Sequence, residues 1–346
     1  DKLGPENVAV IEEIYGCSLQ DAIAFARENP IRIVGGEVRS NTPRFVGLLA
    51  RIYAARGLHV FVTDKNDFSN TSTIFMWSFL TYLLGFSGGD YFTSSHGAPQ
   101  KQSDKILAQD GAQYLPNLYA RIVEHLYLIL DEIEAGGYTI ALAGVDDPHL
   151  HYSLTYPRAA KLYGNYLRKG PASSTALEVI NRAQKSGLRL KLDFFGGAGG
   201  KTIGAILDEL GISNVFEGGY IRTQEDAFFH NIGFRVAKKK NSDQYEVVHD
   251  SVDASLVAVV KSARYDLLLR DVSNGQLVFN VDPDSDRFVV GQVVDASLKG
   301  ELDRWGITSI ELSGQQLFAI FSPNQFFLML AENDRVKADG KAPAQF

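Results

Sequence analysis

Cysteine, methionine and tryptophan are scarce: one Cys, two Met and two Trp in 346 residues. The lone Cys17 has no partner for an internal disulfide, which argues against a disulfide-stapled secreted fold and for a reducing compartment, the cytoplasm. Basic excess is also missing: 34 Lys and Arg stand against 41 Asp and Glu, a net charge of −7. Nucleic acid and anionic membrane are therefore disfavoured as main partners, although a local basic pocket for a phosphorylated metabolite remains compatible. No apolar run reaches the roughly 20 residues of a bilayer helix. The most apolar one, residues 74–86, is broken by Ser78, Thr81 and Gly85 and predicts a core helix. No signal peptide, targeting tail or internal repeat is visible. Without an initiator Met, and stopping just after an apolar helical stretch, the chain is expected to be trimmed at both ends.

What is present is 45% hydrophobic residues, enough for large cores. The pattern alternates strand, loop and helix. A β-branched run at 31–34 leads into a polar loop at 35–42, a helix over about 43–56 and a strand at 58–62. Pro43 and Gly57 punctuate that helix as expected. The order returns at 91–93, at 188–195 before a helix at 203–210, and at 266–269. This alternation predicts α/β layers with parallel or mixed sheets. The polar stretch 146–157 is the first candidate boundary, with a possible linking helix over 152–167. Residues 238–244 read as an exposed turn. Residues 315–332 read as one helix, kinked or interrupted at Pro323.

Three segments could carry chemistry. In VDPDSDRF, residues 281–288, Asp282, Asp284 and Asp286 alternate, and in a simple strand they would share a face. Two like charges about 4 Å apart repel by roughly 1 kcal/mol in water and about 4 kcal/mol at an effective dielectric near 20. Converging carboxylates would thus call for a cation, and an oxygen-only set suits Mg²⁺. A solvated acidic turn fits the octet equally well. An EF-hand does not, since its sixth and twelfth positions would be Arg287 and Val293. A haloacid-dehalogenase-type nucleophile is disfavoured by Pro283 and Arg287.

The second segment runs over residues 88–106, where a strand ends in Thr93, Ser94, Ser95 and His96. Serine beside histidine fits nucleophilic or phosphoryl-accepting chemistry, though such a loop is more often simply a turn. No G-x-S-x-G elbow is formed. The third segment, FFGGAGGKT at 194–202, nearly spells a P-loop but has Phe195 where the first glycine belongs. A glycine-rich strand-to-helix turn is the better reading, and a P-loop NTPase the weaker alternative. Among the histidines, only His149-x-His151 has metal-ligand spacing, and it is expected to be solvent-exposed in a polar connector.

The order of these segments resembles that of the phosphoglucomutase/phosphomannomutase (phosphohexomutase) family. LGFSGGDYFTSSHGAPQKQSDKI resembles its phosphoserine loop, T-A-S-H-N-P with a following lysine: Thr93, Ser95 and His96 match, and Lys105 lies ten residues after Ser95. VDPDSDRF is similar to the metal loop D-P-D-x-D-R. VGGEVRSNTPRF resembles V-G-x-D-x-R, with Arg39 matching and Glu37 replacing the usual acid. KLDFFGGAGGKTI is similar to the N-G-A-G-G turn opening the family's second domain. Gly97, Ala98 and Gln102-Ser103 depart from the family's serine loop. A preceding glycine/arginine loop, a G-E-x-S-G-H sugar-selecting loop and a phosphate-binding serine/threonine loop are not found.

The resemblance implies repeated mixed-sheet α/β domains of the phosphohexomutase type in an apparently truncated chain. Residues 1–152 would be domain I with the phosphoserine loop, 153–290 domain II with the metal loop, and 291–346 the start of domain III. It implies a cytoplasmic isomerase of carbohydrate metabolism, moving a phosphoryl group between the 1 and 6 positions of a hexose through a hexose 1,6-bisphosphate. Ser95, His96 and Lys105 would be catalytic. Arg39 and Arg287 would bind phosphate, and Ser95, Asp282, Asp284 and Asp286 would hold one Mg²⁺. The alternative is an inactive or regulatory phosphosugar-binding homologue. The preferred hexose and the oligomeric state are left open.

Overall fold

The computed structural model describes residues 4–63, 65, 68, 71–137, 139–249, 251–253, 255–312 and 315–338. Two helices open the chain, α1 (Pro5–Tyr15) and α2 (Leu19–Glu28). Then follow β1 (Ile31–Gly36), α3 (Thr42–Ala55), β2 (His59–Phe61), α4 (Ile74–Leu83), β3 (Gly88–Thr93), β4 (Ser103–Leu107), α5 (Pro116–Glu134) and β5 (Leu150–His151). Their sheet runs β4-β3-β1-β2-β5, with only β3–β4 antiparallel. β1 is a nearly continuous buried apolar run, as a central parallel strand requires. α4 is the expected core helix, with Met76, Trp77 and Leu80 buried. Gly35 makes room for it, since a Cβ there would lie 2.1 Å from the Trp77 ring nitrogen.

The second half begins with α6 (Tyr156–Arg168) and α7 (Ser174–Lys185), then β6 (Lys191–Asp193), α8 (Gly199–Leu210) and β7 (Tyr220–Ile221). A hairpin of β8 (Phe234–Lys238) and β9 (Tyr245–His249) stands apart, its tip being the exposed turn expected at 238–244. After α9 (Val257–Ser262) and α10 (Tyr265–Leu268) come β10 (Leu277–Val281), β11 (Phe288–Asp295), α11 (Lys299–Arg304), β12 (Thr308–Glu311), β13 (Gln316–Phe321) and α12 (Pro323–Ala338). The second sheet runs β12-β13-β11-β10-β6-β7. α6 and α8 carry Leu162, Ile206 and Leu210 into the same apolar cluster as α1 and α4, so one core joins the first sheet to the helices of the second half.

Three expectations need correction. Residues 315–332 are not one helix: 317–321 are all buried in β13, and α12 begins at Pro323. A five-residue buried apolar run is of strand length, and proline, lacking an N–H, starts the next helix rather than kinking it. The segment 266–269 lies on and beside the short α10, not in a strand. There the buried Tyr265 hydroxyl reaches Asp193 at 2.7 Å and also Asn280. The stretch from 291, expected to open a third domain, instead supplies β12, β13 and most of β11 to the second sheet. Residues 1–3 and 339–346 of the expected outer domains lie outside the described residues.

Candidate active site

The serine loop leaves the end of β3 and returns as β4. Its shape is dictated by Arg39, whose side chain is fully buried. Arg39 Nε donates to Glu37 Oε1 at 2.6 Å. Nη1 donates to the carbonyls of Ala98 and Lys101 at 2.6 and 2.8 Å, and Nη2 to those of Ser95 and Gly97 at 2.9 and 3.1 Å. All five guanidinium N–H groups are thereby committed. This corrects the expectation that Arg39 binds phosphate: it braces the loop and has no donor left for a ligand.

Glu37 Oε1 also accepts the Thr93 hydroxyl at 2.7 Å and the Ser94 N–H at 3.1 Å. Burial pushes the Glu37 carboxyl up to about 7, against Arg39 and with help from Asp284. At the centre, Ser95 takes a left-handed conformation, φ 51°, uncommon for a residue with a side chain. Its N–H is caught by Thr93 Oγ1 at 2.6 Å.

The second sheet brings the aspartates. β10 ends at Val281 and β11 begins at Phe288, so the three carboxylates sit in the connecting turn, not on a strand face. They converge all the same, with one oxygen of each within 4.8 Å of the others. The glycine-rich turn before α8 lets this loop in close. A Cβ on Gly197 would lie 2.6 Å from Pro283 Cα, and one on Gly199 2.6 Å from Ser285 Oγ. Its Lys201 and Thr202 face residues 71–72: Lys201 Nζ lies 2.9 Å from Glu225 and 3.3 Å from Thr71 Oγ1, and Thr202 Oγ1 lies 3.1 Å from Ser72 Oγ. The near P-loop is thus a joint between the two halves.

The two loops meet. Ser95 Oγ lies 3.3 Å from Asp282 Oδ2 and 3.4 Å from His96 Nδ1, and Arg287 Nη2 also reaches it. Lys105, on β4, donates to Asp284 at 2.7 Å and to Asp286 at 3.2 Å. Burial, then Asp284 and Asp286, push Asp282 well above the usual carboxylate range. Burial also disfavours the charge on Asp286, but Lys105 and Arg287 outweigh it and hold this carboxyl below its ordinary value. For Lys105 the two carboxylates likewise outweigh burial and raise the ammonium pKa.

Seven of the eight expected residues therefore come together: Ser95, His96, Lys105, Asp282, Asp284, Asp286 and Arg287. Glu37, Ser251 and Asp253 are additions. The His96 carbonyl accepts from Val252 N–H at 2.8 Å and from the Ser251 hydroxyl at 2.9 Å, and His96 Nε2 is 3.8 Å from Asp253. Glu37 was visible in the sequence as the acid two residues before Arg39, just past the end of β1, though not as a site residue. No sequence signal pointed to Ser251 or Asp253.

The aspartate set suits a hard divalent cation. It is all oxygen, Asp284 Oδ1 is buried with no hydrogen-bond partner, and the carboxylates crowd one another. The histidine expectation is corrected: His149 and His151 are half-buried, and their rings gather around His59. His151 Nε2 lies 2.9 Å from His59 Nδ1, and the His149 ring centroid lies 4.7 Å from that of His59.

The chain is similar to known proteins in sequence and in fold. The family model for phosphoglucomutase/phosphomannomutase, alpha/beta/alpha domain I, matches residues 3–129. A phosphomannomutase of Mycoplasma genitalium is 22% identical over 261 residues, 75% of this chain and 40% of that protein. The solved open form of pp63/parafusin, a Paramecium phosphoglucomutase, superposes with a TM-score of 0.50 at 14% identity, covering 83% of this chain and 49% of that one. The chain thus spans about half the length, or less, of the proteins it matches. Residues 3–129, which hold most of the first sheet, are thus similar to domain I of the phosphoglucomutase/phosphomannomutase family, and the fold across both sheets is similar to that of the solved phosphoglucomutase.

Proposed function

We propose that this chain carries the phosphoryl-transfer centre of a phosphohexomutase, an isomerase of carbohydrate metabolism with Ser95 as the phosphoryl carrier. One observation carries the reading: the Ser95 hydroxyl, from the first sheet, lies 3.3 Å from Asp282, in the aspartate turn of the second. The substrate is a hexose monophosphate and the intermediate a hexose 1,6-bisphosphate. As the Ser95 Oγ–P bond breaks, a sugar hydroxyl forms the new O–P bond and gives up its proton, which balances the one that the freed Ser95 oxygen takes up. When a phosphoryl group returns to Ser95 from the other position, the departing sugar oxygen takes a proton up. Lys105, kept protonated by Asp284 and Asp286, is placed to supply that proton.

Arg287 lies on Ser95 Oγ and neutralises charge on a phosphoryl group carried there. His96 and the Arg39–Glu37 brace keep the serine in its left-handed pose. Asp282, Asp284 and Asp286, with a phosphoserine oxygen, would hold Mg²⁺, which when bound neutralises charge on the transferring oxygens. The lone cysteine fits a reducing compartment, and we place the reaction in the cytoplasm.

Peptide mass spectrometry after incubation with Mg²⁺ and glucose or mannose 1,6-bisphosphate tests the reading. Phosphate is expected on Ser95, absent in Ser95→Ala and retained in Ser94→Ala. Phosphate on Ser94 would overturn the assignment. Binding of the bisphosphate without labelling would favour a phosphosugar-binding homologue that does not turn over.

A further inference from the structure

Helix α5 differs from every other long helix of the chain. None of its 19 residues is buried, and none belongs to an apolar cluster of the core. Its recorded tie to the body is near its start, where the Tyr119 hydroxyl accepts from Ile106 N–H at 2.7 Å and donates to the Asp104 carbonyl at 3.0 Å. Yet the helix is amphipathic. At about 100° per residue, Leu118, Ile122, Leu126, Leu130 and Ile133 fall on one side, with Arg121, Glu124 and Asp131 opposite. Leu126 is 51% exposed and Tyr127 65%. Together these side chains expose roughly several hundred Å², within the roughly 300–600 Å² of an ordinary monomer's largest apolar patch.

The charges on α5 are the wrong way round for a solitary helix. Its first turn has no acid and its last turn no base, while Asp131, Glu132 and Glu134 crowd the negative end of the dipole. Its one Lys or Arg, Arg121, lies in the N-terminal half. An isolated helix of this length is marginal even with favourable charges. A second α5 laid antiparallel, crossing at Leu126, answers both defects. It covers the apolar face, and it brings a positive helix N-terminus and Arg121 beside the acids of the first. In that register Arg121 comes within one residue of being level with Glu132 of the second copy, on the same flank of the pair.

We propose that α5 is a self-association surface, on which a second copy of this chain docks its own α5 antiparallel across a two-fold axis. The contact is isologous, so each copy supplies the Arg121 and the acids that the other needs. Pairing two such faces buries on the order of 1,000 Å² in total with the flanking side chains, the size of a weak, transient interface, which fits a dimer of micromolar affinity. The proposal does not depend on the phosphoryl-transfer reading.

Sedimentation equilibrium of the 346-residue chain across roughly 1–100 µM tests it. A monomer–dimer equilibrium is expected. Leu126→Glu should abolish it, while Val236→Glu, at a 68% exposed position on β8, should not. Arg121→Glu should weaken the dimer about tenfold, because two symmetric contacts are lost, and Arg121→Glu combined with Glu132→Arg should restore it. Both positions are exposed, so unchanged circular dichroism should show intact monomers. A wild-type chain that stays monomeric at the highest concentration would overturn the proposal, as would a dimer that survives Leu126→Glu. A monomer that instead co-sediments with neutral phospholipid vesicles would assign the face to a membrane and overturn it equally.

Discussion

The aspartate turn and a histidine group at the edge of the first sheet both bring like titratable groups together, and the two are handled in opposite ways. In the aspartate turn, Asp282, Asp284 and Asp286 lie within 4.8 Å of one another, with Lys105 and Arg287 set against them. At the far edge of the first sheet, His59, His149 and His151 stack together, and the recorded anion beside them is Asp147, bonded to His149. His59 and His151 answer crowding by staying neutral: burial, then the neighbouring imidazoles, push both down, His151 to about 4. The acids keep cations beside them, and one of those, Lys105, is drawn from the other sheet. Taking three carboxylates out of water at a loop tip has no packing benefit, whereas stacked neutral rings pack like any aromatic cluster. That contrast separates a candidate site from a piece of core.

The largest effect is expected where buried charge is most fully committed. Arg39→Met removes five hydrogen bonds and strands Glu37, and should cost about 3–5 kcal/mol of stability, read from urea unfolding. A loss below 1 kcal/mol would mean that the serine loop holds its shape without the brace. Lys105→Met tests the cations directly. With the ammonium gone from Asp284 and Asp286, stability should fall by roughly 2 kcal/mol, and added Mg²⁺ should recover more of it than it adds to the wild type. Equal Mg²⁺ gains in both proteins would detach Lys105 from the acid cluster.

Asp282→Asn sharpens the comparison from the acid side. Its carboxyl is pushed up by burial and by its two neighbours, so a neutral amide relieves repulsion while keeping an acceptor for Arg287 N–H, now 3.2 Å from Oδ1. The metal-free variant should gain roughly 1 kcal/mol and lose the Mg²⁺-dependent rise in melting temperature. A variant that still responds to Mg²⁺ like the wild type would remove Asp282 from the ligand set.

Much of this contrast was legible in the sequence, but unevenly. Spacing brought out the three aspartates, and the Ser–His pair marked the serine loop, because short motifs encode what one loop can present. The strands 31–34 and 58–62 and the helix at 43–56 were readable from β-branched runs, Pro43 and Gly57. Partners across the fold were not readable. Arg39 looks like a phosphate ligand until its five donors are seen to face carbonyls of the serine loop, and His149-x-His151 looks solvent-exposed until β5 pairs with β2 beside His59. Residues 315–332 read as one helix because an apolar strand and an apolar helical segment share the same composition, and only sheet pairing tells them apart. Among residues 194–202 the glycines were visible as a tight turn, but their purpose, admitting the aspartate turn, needed the approach of Pro283 and Ser285.

The smallest effect is expected at the histidines, and only in acid. His151 stacks on Phe61 with ring centroids 4.7 Å apart and shares a proton with His59 across 2.9 Å. Its folded-state pKa of about 4 lies below the ordinary 6.5, so the fold favours the neutral ring. That contribution is fully present above pH 6.5 and drains away as pH falls toward 4, where the folded ring must finally take a proton. His59 is shifted in the same direction by burial and by His149, so the two rings lose stability together. His151→Phe keeps the stack on Phe61, drops the hydrogen bond to His59 and removes one titrating group. At pH 7.5 its melting temperature should sit at or slightly below that of the wild type. Between pH 6.5 and 4 the wild type should fall more steeply, so the difference moves in favour of the variant. Carboxylates elsewhere titrate in both proteins and cancel in that difference. Melting curves that stay parallel across this window would show that His151 is not kept neutral by the fold, and the contrast with the aspartates would then fail.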